Sequence, residues 1–125
     1  MTTFNGYEYN DCGVCVNPEI AYDWSDGNDA YFIFKVSETP NGWVCGYRWG
    51  FDCLSGGGPC ALDKPNLFPS RSKAIMACAK GIKTSLSFLK AKNLKMEAEL
   101  DRIIAEESGK KPHLKQYSIF DYLND

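Results

Sequence analysis

Alternation of aromatic with small or charged residues in one stretch constrains the fold more than any other feature. In residues 43–51 every second position carries a large or apolar side chain: Trp43, Cys45, Tyr47, Trp49 and Phe51. Successive side chains of a strand point to opposite faces, so this period of two predicts a strand with one aromatic face. Tyr31–Val36 is also β-prone, and Glu38–Gly42 between the two runs contains proline and an Asn-Gly pair. The two runs are therefore predicted to form a β-hairpin.

Shorter strands are predicted on both sides of this hairpin. The first 29 residues are rich in turn residues, which leaves room for strands around Phe4–Tyr9 and Glu19–Trp24. Ser55–Pro59, with three glycines, is interpreted as a flexible turn that ends the second strand of the hairpin. A third strand is then expected near Cys60–Leu62.

Two amphipathic helices are predicted after Pro69. Ser70 or Ser72 can cap the first helix, whose apolar stripe recurs at helical spacing: Ile75, Cys78, Ile82, Leu86 and Leu89. A second stripe over Met96–Ile104 does not continue the first, which predicts a break or cap at Asn93 and a second helix over about residues 94–107. The predicted fold class is α+β: an antiparallel three- to four-stranded meander followed by one long amphipathic helix and a second helix packed on one face.

The composition is typical of one soluble globular domain. The chain has 125 residues, of which 44% are hydrophobic, and no stretch approaches the roughly 18 uninterrupted apolar residues of a membrane span. We expect residues 1–109 to form the domain and residues 110–125 to form a linker and a docking tail. The first residues lack the basic patch and apolar run of a signal peptide, so a cytoplasmic location is expected.

Zinc binding is one interpretation of the cysteines. Cys12 and Cys15 have the Cys-x2-Cys spacing that lets two thiolates meet one zinc ion. Cys53 and Cys60 would complete the site, although six residues lie between them, which is wider than the usual spacing. The other interpretation is that the cysteines are reduced, unpaired thiols of a cytoplasmic protein. We prefer it and expect no metal and no cofactor.

Catalytic chemistry is not indicated by the residues. His113, the one histidine, lies in a Lys-Pro-His-Leu segment with no serine or cysteine motif to partner it. The spacing of Asp23, Asp26 and Asp29 does not match a calcium-binding loop, and the glycine run lacks the Gly-Lys-Ser/Thr of a phosphate-binding loop. We therefore expect a binding protein rather than an enzyme.

Charge is distributed unevenly along the chain. Residues 1–69 carry three basic side chains (Lys35, Arg48 and Lys64) against nine acidic ones, and residues 70–125 carry eleven against seven. No acidic residue occurs in residues 71–95, and the candidate nucleic-acid contacts lie there: Arg71, Lys73, Lys80, Lys83 and Lys90. The four lysines are expected on one flank of the first helix, which is typical of a polyanionic partner. A solvated helix face that only keeps the protein soluble is the other interpretation.

The start of the first helix, Arg71–Ala79, resembles the last helix of double-stranded-RNA-binding domains. The resemblance implies that basic residues at this helix start contact phosphates. Those domains open with a helix, whereas this chain opens with turns and strands. Tyr47 or Trp49 could instead stack on single-stranded bases, but we expect the aromatic face to be core under the helix.

Residues 116–120 resemble the peptide by which bacterial polymerases, repair proteins and some mobile-element proteins dock onto the β sliding clamp. The family motif is Gln-Leu-Ser/Asp-Leu-Phe, and this chain has Gln116, Tyr117, Ser118, Ile119 and Phe120. Three residues match, Ile119 replaces leucine conservatively, and Tyr117 departs from leucine. The resemblance implies a sliding clamp as the partner and a role in DNA metabolism. The other interpretation is that the apolar residues of 119–123 fold back onto the domain.

The domain itself looks like small orphan proteins of phages and other mobile elements. The resemblance lies in Trp43-x2-Gly46, the glycine run, and Phe68-x-Ser70-Arg71-x2-Ala74-Ile75. The resemblance does not by itself imply an activity, and our expectation for the whole chain is a non-enzymatic phage or mobile-element accessory protein of DNA metabolism. The alternative function is a phage-encoded inhibitor of a host defence enzyme, an anti-CRISPR or anti-restriction protein, with the acidic N-terminal half as its contact surface.

Overall fold

The computed structural model describes residues 2–60 and 67–109, and shows an antiparallel sheet with two helices on one face. The strands are β1 (Thr2–Phe4), β2 (Tyr7–Tyr9), β3 (Glu19–Ser25), β4 (Tyr31–Thr39), β5 (Gly42–Phe51) and β6 (Leu54–Gly58), and the helices are α1 (Arg71–Phe88) and α2 (Leu94–Ser108). The main sheet has the order β3-β4-β5-β6, and β1 and β2 pair separately. All of these neighbours are antiparallel. The predicted α+β class is confirmed.

The predicted hairpin is β4–β5, and its turn is shorter than expected. Only Pro40 and Asn41 lie between the strands, because Glu38 and Thr39 extend β4 and Gly42 begins β5. The Thr39 hydroxyl accepts a hydrogen bond from the Asn41 amide (3.1 Å) and donates one to the Gly42 carbonyl (2.9 Å). This side chain supplies the turn's hydrogen bonds, so fewer residues are needed to reverse the chain.

Two of the strand predictions were wrong. The segment Phe4–Tyr9 is not one strand, because Asn5 and Gly6 adopt positive φ and split it into β1 and β2. The glycine run in Ser55–Pro59 is not a turn but belongs to β6, and the chain reverses at Asp52–Cys53. Residues 61 and 62 of the strand expected near Cys60–Leu62 lie outside the described residues. Gly57 has a φ of +134°, and a Cβ there would lie 1.9 Å from the Tyr47 carbonyl oxygen. Glycine is therefore what lets β6 pair with β5 at this position.

Side-chain caps begin both helices. The Ser70 hydroxyl accepts a hydrogen bond from the Lys73 amide (3.2 Å), which selects Ser70 over Ser72 as the N-cap of α1. The Asn93 side chain accepts from the Met96 amide (3.0 Å), and the Asn93 amide donates to the Glu97 carboxylate (3.0 Å). The predicted break at Asn93 is thus the N-cap of α2. Leu89, expected in the apolar stripe of α1, is instead its exposed C-cap.

The main core lies between the sheet and the helices. On the sheet side, Phe32 stacks between Trp24 (ring centroids 5.1 Å apart) and Phe34 (4.8 Å). The helices contribute the buried side chains Ala74, Ile75, Cys78, Ala79, Ile82, Leu86, Met96, Leu100 and Ile103. Trp49 is 1% exposed in the same cluster. The expectation that the helix stripe covers the aromatic face is confirmed, and Trp49 cannot present a surface to nucleic-acid bases.

A second, smaller core lies on the opposite face of the sheet. It consists of the buried residues Tyr9, Cys15, Val44 and Cys60. The Tyr9 hydroxyl hydrogen-bonds to the Ser37 hydroxyl (2.8 Å) and donates to the Glu38 carbonyl (2.7 Å). Within the described residues, the β1–β2 hairpin therefore covers this face near the β4–β5 turn. We call the remaining part, which bears Tyr31, Ile33, Lys35 and Arg48 on β4 and β5, the open face.

Within residues 2–60 and 67–109, neither α1 nor α2 combines the length and apolar character needed to cross a bilayer.

Candidate binding surfaces

Arg71, a candidate nucleic-acid contact, is already paired within the domain. Its Nε donates to Oε1 of Glu19 in β3 (2.9 Å), and a second nitrogen of the guanidinium bonds the other carboxylate oxygen. This hydrogen-bonded ion pair holds the pKa of Glu19 below its ordinary value. The ion pair therefore joins α1 to β3, and the positive charge of Arg71 is largely compensated within the domain.

Lys83 is also engaged. Its ammonium group forms an ion pair with Asp101 of α2. Lys83 thus lies on the side of α1 that packs against α2, not on the outward side. Like Arg71, it supports packing within the domain, and its charge is partly compensated.

Lys73 and Lys80 are the two candidates on the outward side of α1. Both are exposed, and the ion pairs found in the described parts of the chain do not include them. Seven residues correspond to about two helical turns, so the two lysines lie on one face, about 10 Å apart along the axis. Lys90, the fifth candidate, lies beyond the helix end at a φ of +55°. The structure therefore brings together two of the five candidates rather than all of them.

The connection between the helices exposes an apolar tip that sequence reasoning missed. Phe88 is 85% exposed and Leu94 is 76% exposed, and Lys90, Lys92 and Lys95, which are close to them in the chain, are also exposed. Large apolar side chains that cluster at a surface are typical of contact sites. The only sequence signal was that Phe88 and Leu94 fall outside the two apolar stripes.

The four cysteines of the zinc interpretation do not form one site. Cys15 and Cys60 are adjacent in the small core, where the Cys15 amide donates to the Cys60 carbonyl (2.8 Å). Cys53 and Cys60 flank opposite ends of β6, a separation of about 13 Å or more. Zinc–sulfur bonds of about 2.3 Å cannot span it. In residues 2–60 and 67–109 no three His, Cys, Asp or Glu side chains are grouped to hold a metal, so zinc binding by this set is wrong.

The cysteine thiols differ in their exposure. Cys12 and Cys53 are exposed, whereas Cys15, Cys60 and Cys78 are buried. Burial raises the pKa of the Cys60 thiol to about 12. Because the thiolate is the reactive form, Cys60 is not a nucleophile at neutral pH.

Two carboxylates of the β3–β4 loop accept hydrogen bonds from loop backbone. Asp26 accepts hydrogen bonds from the amides of Asn28 (2.8 Å) and Ala30 (3.2 Å). Asp29 accepts one from the amide of Asp52 (2.9 Å), in the turn between β5 and β6. Two loops at one end of the sheet are thereby connected.

Some of the candidate residues predicted from the sequence fall outside the part of the chain that the structure describes. The clamp-binding residues Gln116–Phe120 and His113 lie outside the described residues.

Two basic residues that the sequence marked only by their charge, Lys35 and Arg48, both lie on the open face. Their alternation with aromatic residues was the signal that could have placed them there.

Similarity to known proteins is limited. The described chain opens with strands, so the resemblance of Arg71–Ala79 to the last helix of double-stranded-RNA-binding domains does not extend to the order of elements. Comparisons with protein-family models, with curated proteins and with solved structures find no match.

Proposed function

We propose that the protein is a non-enzymatic accessory protein of bacterial or phage DNA metabolism that docks on the β sliding clamp through residues 116–120. The observation that carries the proposal is the sequence Gln116-Tyr117-Ser118-Ile119-Phe120, with three residues that match the clamp-binding motif. In this mode of recognition the glutamine amide orients the peptide by hydrogen bonds, and Ile119 and Phe120 enter an apolar pocket.

The described domain supports this proposal by having a core of its own. The apolar side chains of α1 pack on the sheet, and those of α2 join the same cluster. The helix α2 ends at Ser108 and is followed by its C-cap, Gly109. Residues 110–115 lie between this end and the motif, and six residues span at most about 20 Å. The motif therefore has enough chain to reach a partner beside the domain.

Binding of the full chain to a purified bacterial β clamp, measured by calorimetry, tests the proposal. We expect micromolar affinity, which the double variant Gln116→Ala/Phe120→Ala abolishes. Tyr122→Ala, a change in the same segment outside the motif, is the matched control and should bind like the wild type. Tyr117→Leu restores the family residue and should bind more tightly. Failure of the intact chain to bind, or undiminished binding by the double variant, would overturn the proposal.

A second candidate function is contact with nucleic acid through the outward side of α1. It is favoured by the exposed pair Lys73 and Lys80, which lacks acidic partners in the described chain. Each phosphate contact adds about 0.9 to the slope of log affinity against log salt for duplex DNA.

Anisotropy titrations with labelled RNA and DNA at several salt concentrations test this candidate. Lys73→Gln/Lys80→Gln should lower the slope by about two. Lys83→Gln is the matched control, and should change the slope less because its charge is paired with Asp101. A flat titration with both nucleic acids at low salt would exclude this function.

A further inference from the structure

We propose that the open face of the sheet carries a binding site for a phosphorylated ligand of nucleotide size, held by Lys35 and Arg48. A cavity of ≈ 370 Å³ lies there, lined by Tyr31, Lys35, Tyr47, Arg48 and residues 55–59. This volume is within the range of roughly 300–1,000 Å³ typical of small-molecule sites. The site is on the side of the sheet opposite α1, and it stands independently of the sliding-clamp proposal.

Close approaches at two glycines of β5 build the walls of the cavity. A Cβ at Gly46 would lie 2.5 Å from backbone atoms of Pro59 and Cys60, so the chain that leaves β6 crosses directly over Gly46. A Cβ at Gly50 would lie 2.7 Å from the ring of Tyr31, which covers that position. Positions 46, 48 and 50 share one face of the strand, so Arg48 stands between two walls about 13 Å apart. The concavity is therefore part of the fold and not a gap between mobile side chains.

The two cations of this site are neighbours on the same face. Lys35 pairs in register with Gly46, and Arg48 is two positions further along β5, so the residues are diagonal neighbours roughly 7–8 Å apart. The ion pairs of residues 2–60 and 67–109 include neither of them, and no acidic residue of these two described ranges lines the cavity. Two adjacent like charges repel each other, and an anion bound between them removes that repulsion.

The surroundings favour a phosphate attached to a ring system. A phosphate monoester carries up to two negative charges, which matches two cations, and the guanidinium fork of Arg48 can bond two of its oxygens. The Tyr31 ring at the wall offers a surface on which a base can stack. Asp29 and Asp52 line a neighbouring depression beyond Tyr31. Their negative charge repels a phosphate from this depression, so the phosphate of the ligand should lie towards Lys35 and Arg48.

Two-dimensional ¹H–¹⁵N NMR titration of the full chain with AMP tests the site, with adenosine as the matched ligand that lacks the phosphate. We expect AMP to shift the amide signals of Lys35, Arg48 and residues 56–58, and adenosine to leave them in place. Lys35→Gln/Arg48→Gln should weaken AMP binding by about tenfold or more, since it removes the charge-assisted hydrogen bonds to the phosphate. Lys92→Gln/Lys95→Gln makes the same charge change at two exposed lysines outside both proposed phosphate sites and should keep wild-type affinity.

An adenine oligodeoxynucleotide in a parallel titration distinguishes a free nucleotide from a nucleotide within a strand. Tighter binding of the oligonucleotide that Lys35→Gln/Arg48→Gln removes identifies a strand as the ligand, and preference for AMP identifies a free nucleotide. Equal shifts with adenosine, an unaffected open face, or equal losses in both double variants would overturn the proposal.

Discussion

The hydroxyl of Tyr22 in β3 donates a hydrogen bond of 2.8 Å to the carboxylate of Glu107 in the last turn of α2, across 85 positions of sequence. Glu107 is 1% exposed, and a buried carboxylate is costly unless it is hydrogen-bonded. Burial and the bond to Glu107 both raise the pKa of Tyr22 well above its ordinary value. The phenol therefore remains a donor, and it holds the end of α2 on the first strand of the main sheet.

Removal of this donor should destabilise the fold. Tyr22→Phe deletes only the hydroxyl, and we expect the free energy of unfolding to fall by about 1–3 kcal/mol because a buried carboxylate loses a partner. Urea denaturation measures the change. Tyr22→Phe/Glu107→Leu should recover part of the loss, since the double variant leaves neither member of the bond unpaired. Wild-type stability of Tyr22→Phe would show that the bond contributes nothing.

The N-cap of α2 gives a second prediction. Asn93→Ala removes the acceptor for the Met96 amide, and should lower the free energy of unfolding by about 1 kcal/mol. Thermal unfolding monitored by circular dichroism detects this loss. Asn93→Asp keeps an acceptor oxygen and should remain close to the wild type. An equal loss in both variants would assign the effect to the side-chain amide nitrogen rather than to the cap.

The Glu19–Arg71 ion pair should make the free energy of unfolding depend on pH. Hydrogen bonding to Arg71 lowers the pKa of Glu19 in the folded protein, so the pair contributes stability above the ordinary glutamate pKa of about 4.3. That contribution is lost as the pH falls through the lower, folded-state pKa. Both side chains are over one third exposed, so the contribution is at most about 1 kcal/mol.

Comparison of Glu19→Gln with the wild type from pH 7 to pH 2 measures this contribution. The variant should be less stable at neutral pH, and the difference should vanish in acid. Added salt should also reduce it, because the pair is partly exposed. A difference that does not depend on pH would mean that Glu19 acts through packing.

Exposure predicts the order in which the thiols react. In the native protein, Cys12 and Cys53 should be modified first by a disulfide reagent, because they are exposed. Cys60 should react later, after the small core around it opens, since its thiol is buried with a pKa of about 12. Mass spectrometry of quenched samples identifies the labelled residues. Cys12→Ser/Cys53→Ser should lack the fast phase, and early labelling of Cys60 would contradict the buried assignment.

Sequence patterns predicted those strands and helix ends that are determined by residues close together in the chain. The alternation over residues 43–51 placed the aromatic face, and the caps Ser70 and Asn93 stand where helix-start chemistry indicated. The strand β6 was missed because glycine has low β-propensity. Its pairing depends on the close approach of Gly57 to Tyr47 in another strand, which a pattern within one segment cannot reveal.

For the same reason, the sequence could not show whether the basic residues of α1 are available to a partner. It also could not show whether the four cysteines of the zinc interpretation lie close enough to share one ion. The partner of Arg71, Glu19, is 52 positions away in the chain, so spacing within the helix could not show that its charge is compensated. Likewise, the distance between Cys53 and Cys60 depends on β6 running straight between them. Both facts follow from tertiary contacts rather than from local spacing.

The small core on the second face of the sheet makes residues 2–18 a separate unit of stability. Among residues 2–60 and 67–109, four buried side chains form this small core and fifteen form the main core, so this unit can open at a lower free energy than β4, β5 and α1. Amide hydrogens of β1 and β2 should then exchange with solvent ahead of those in the central strands. Such an opening would admit solvent to Cys15 and Cys60 while the helices keep their places on the sheet.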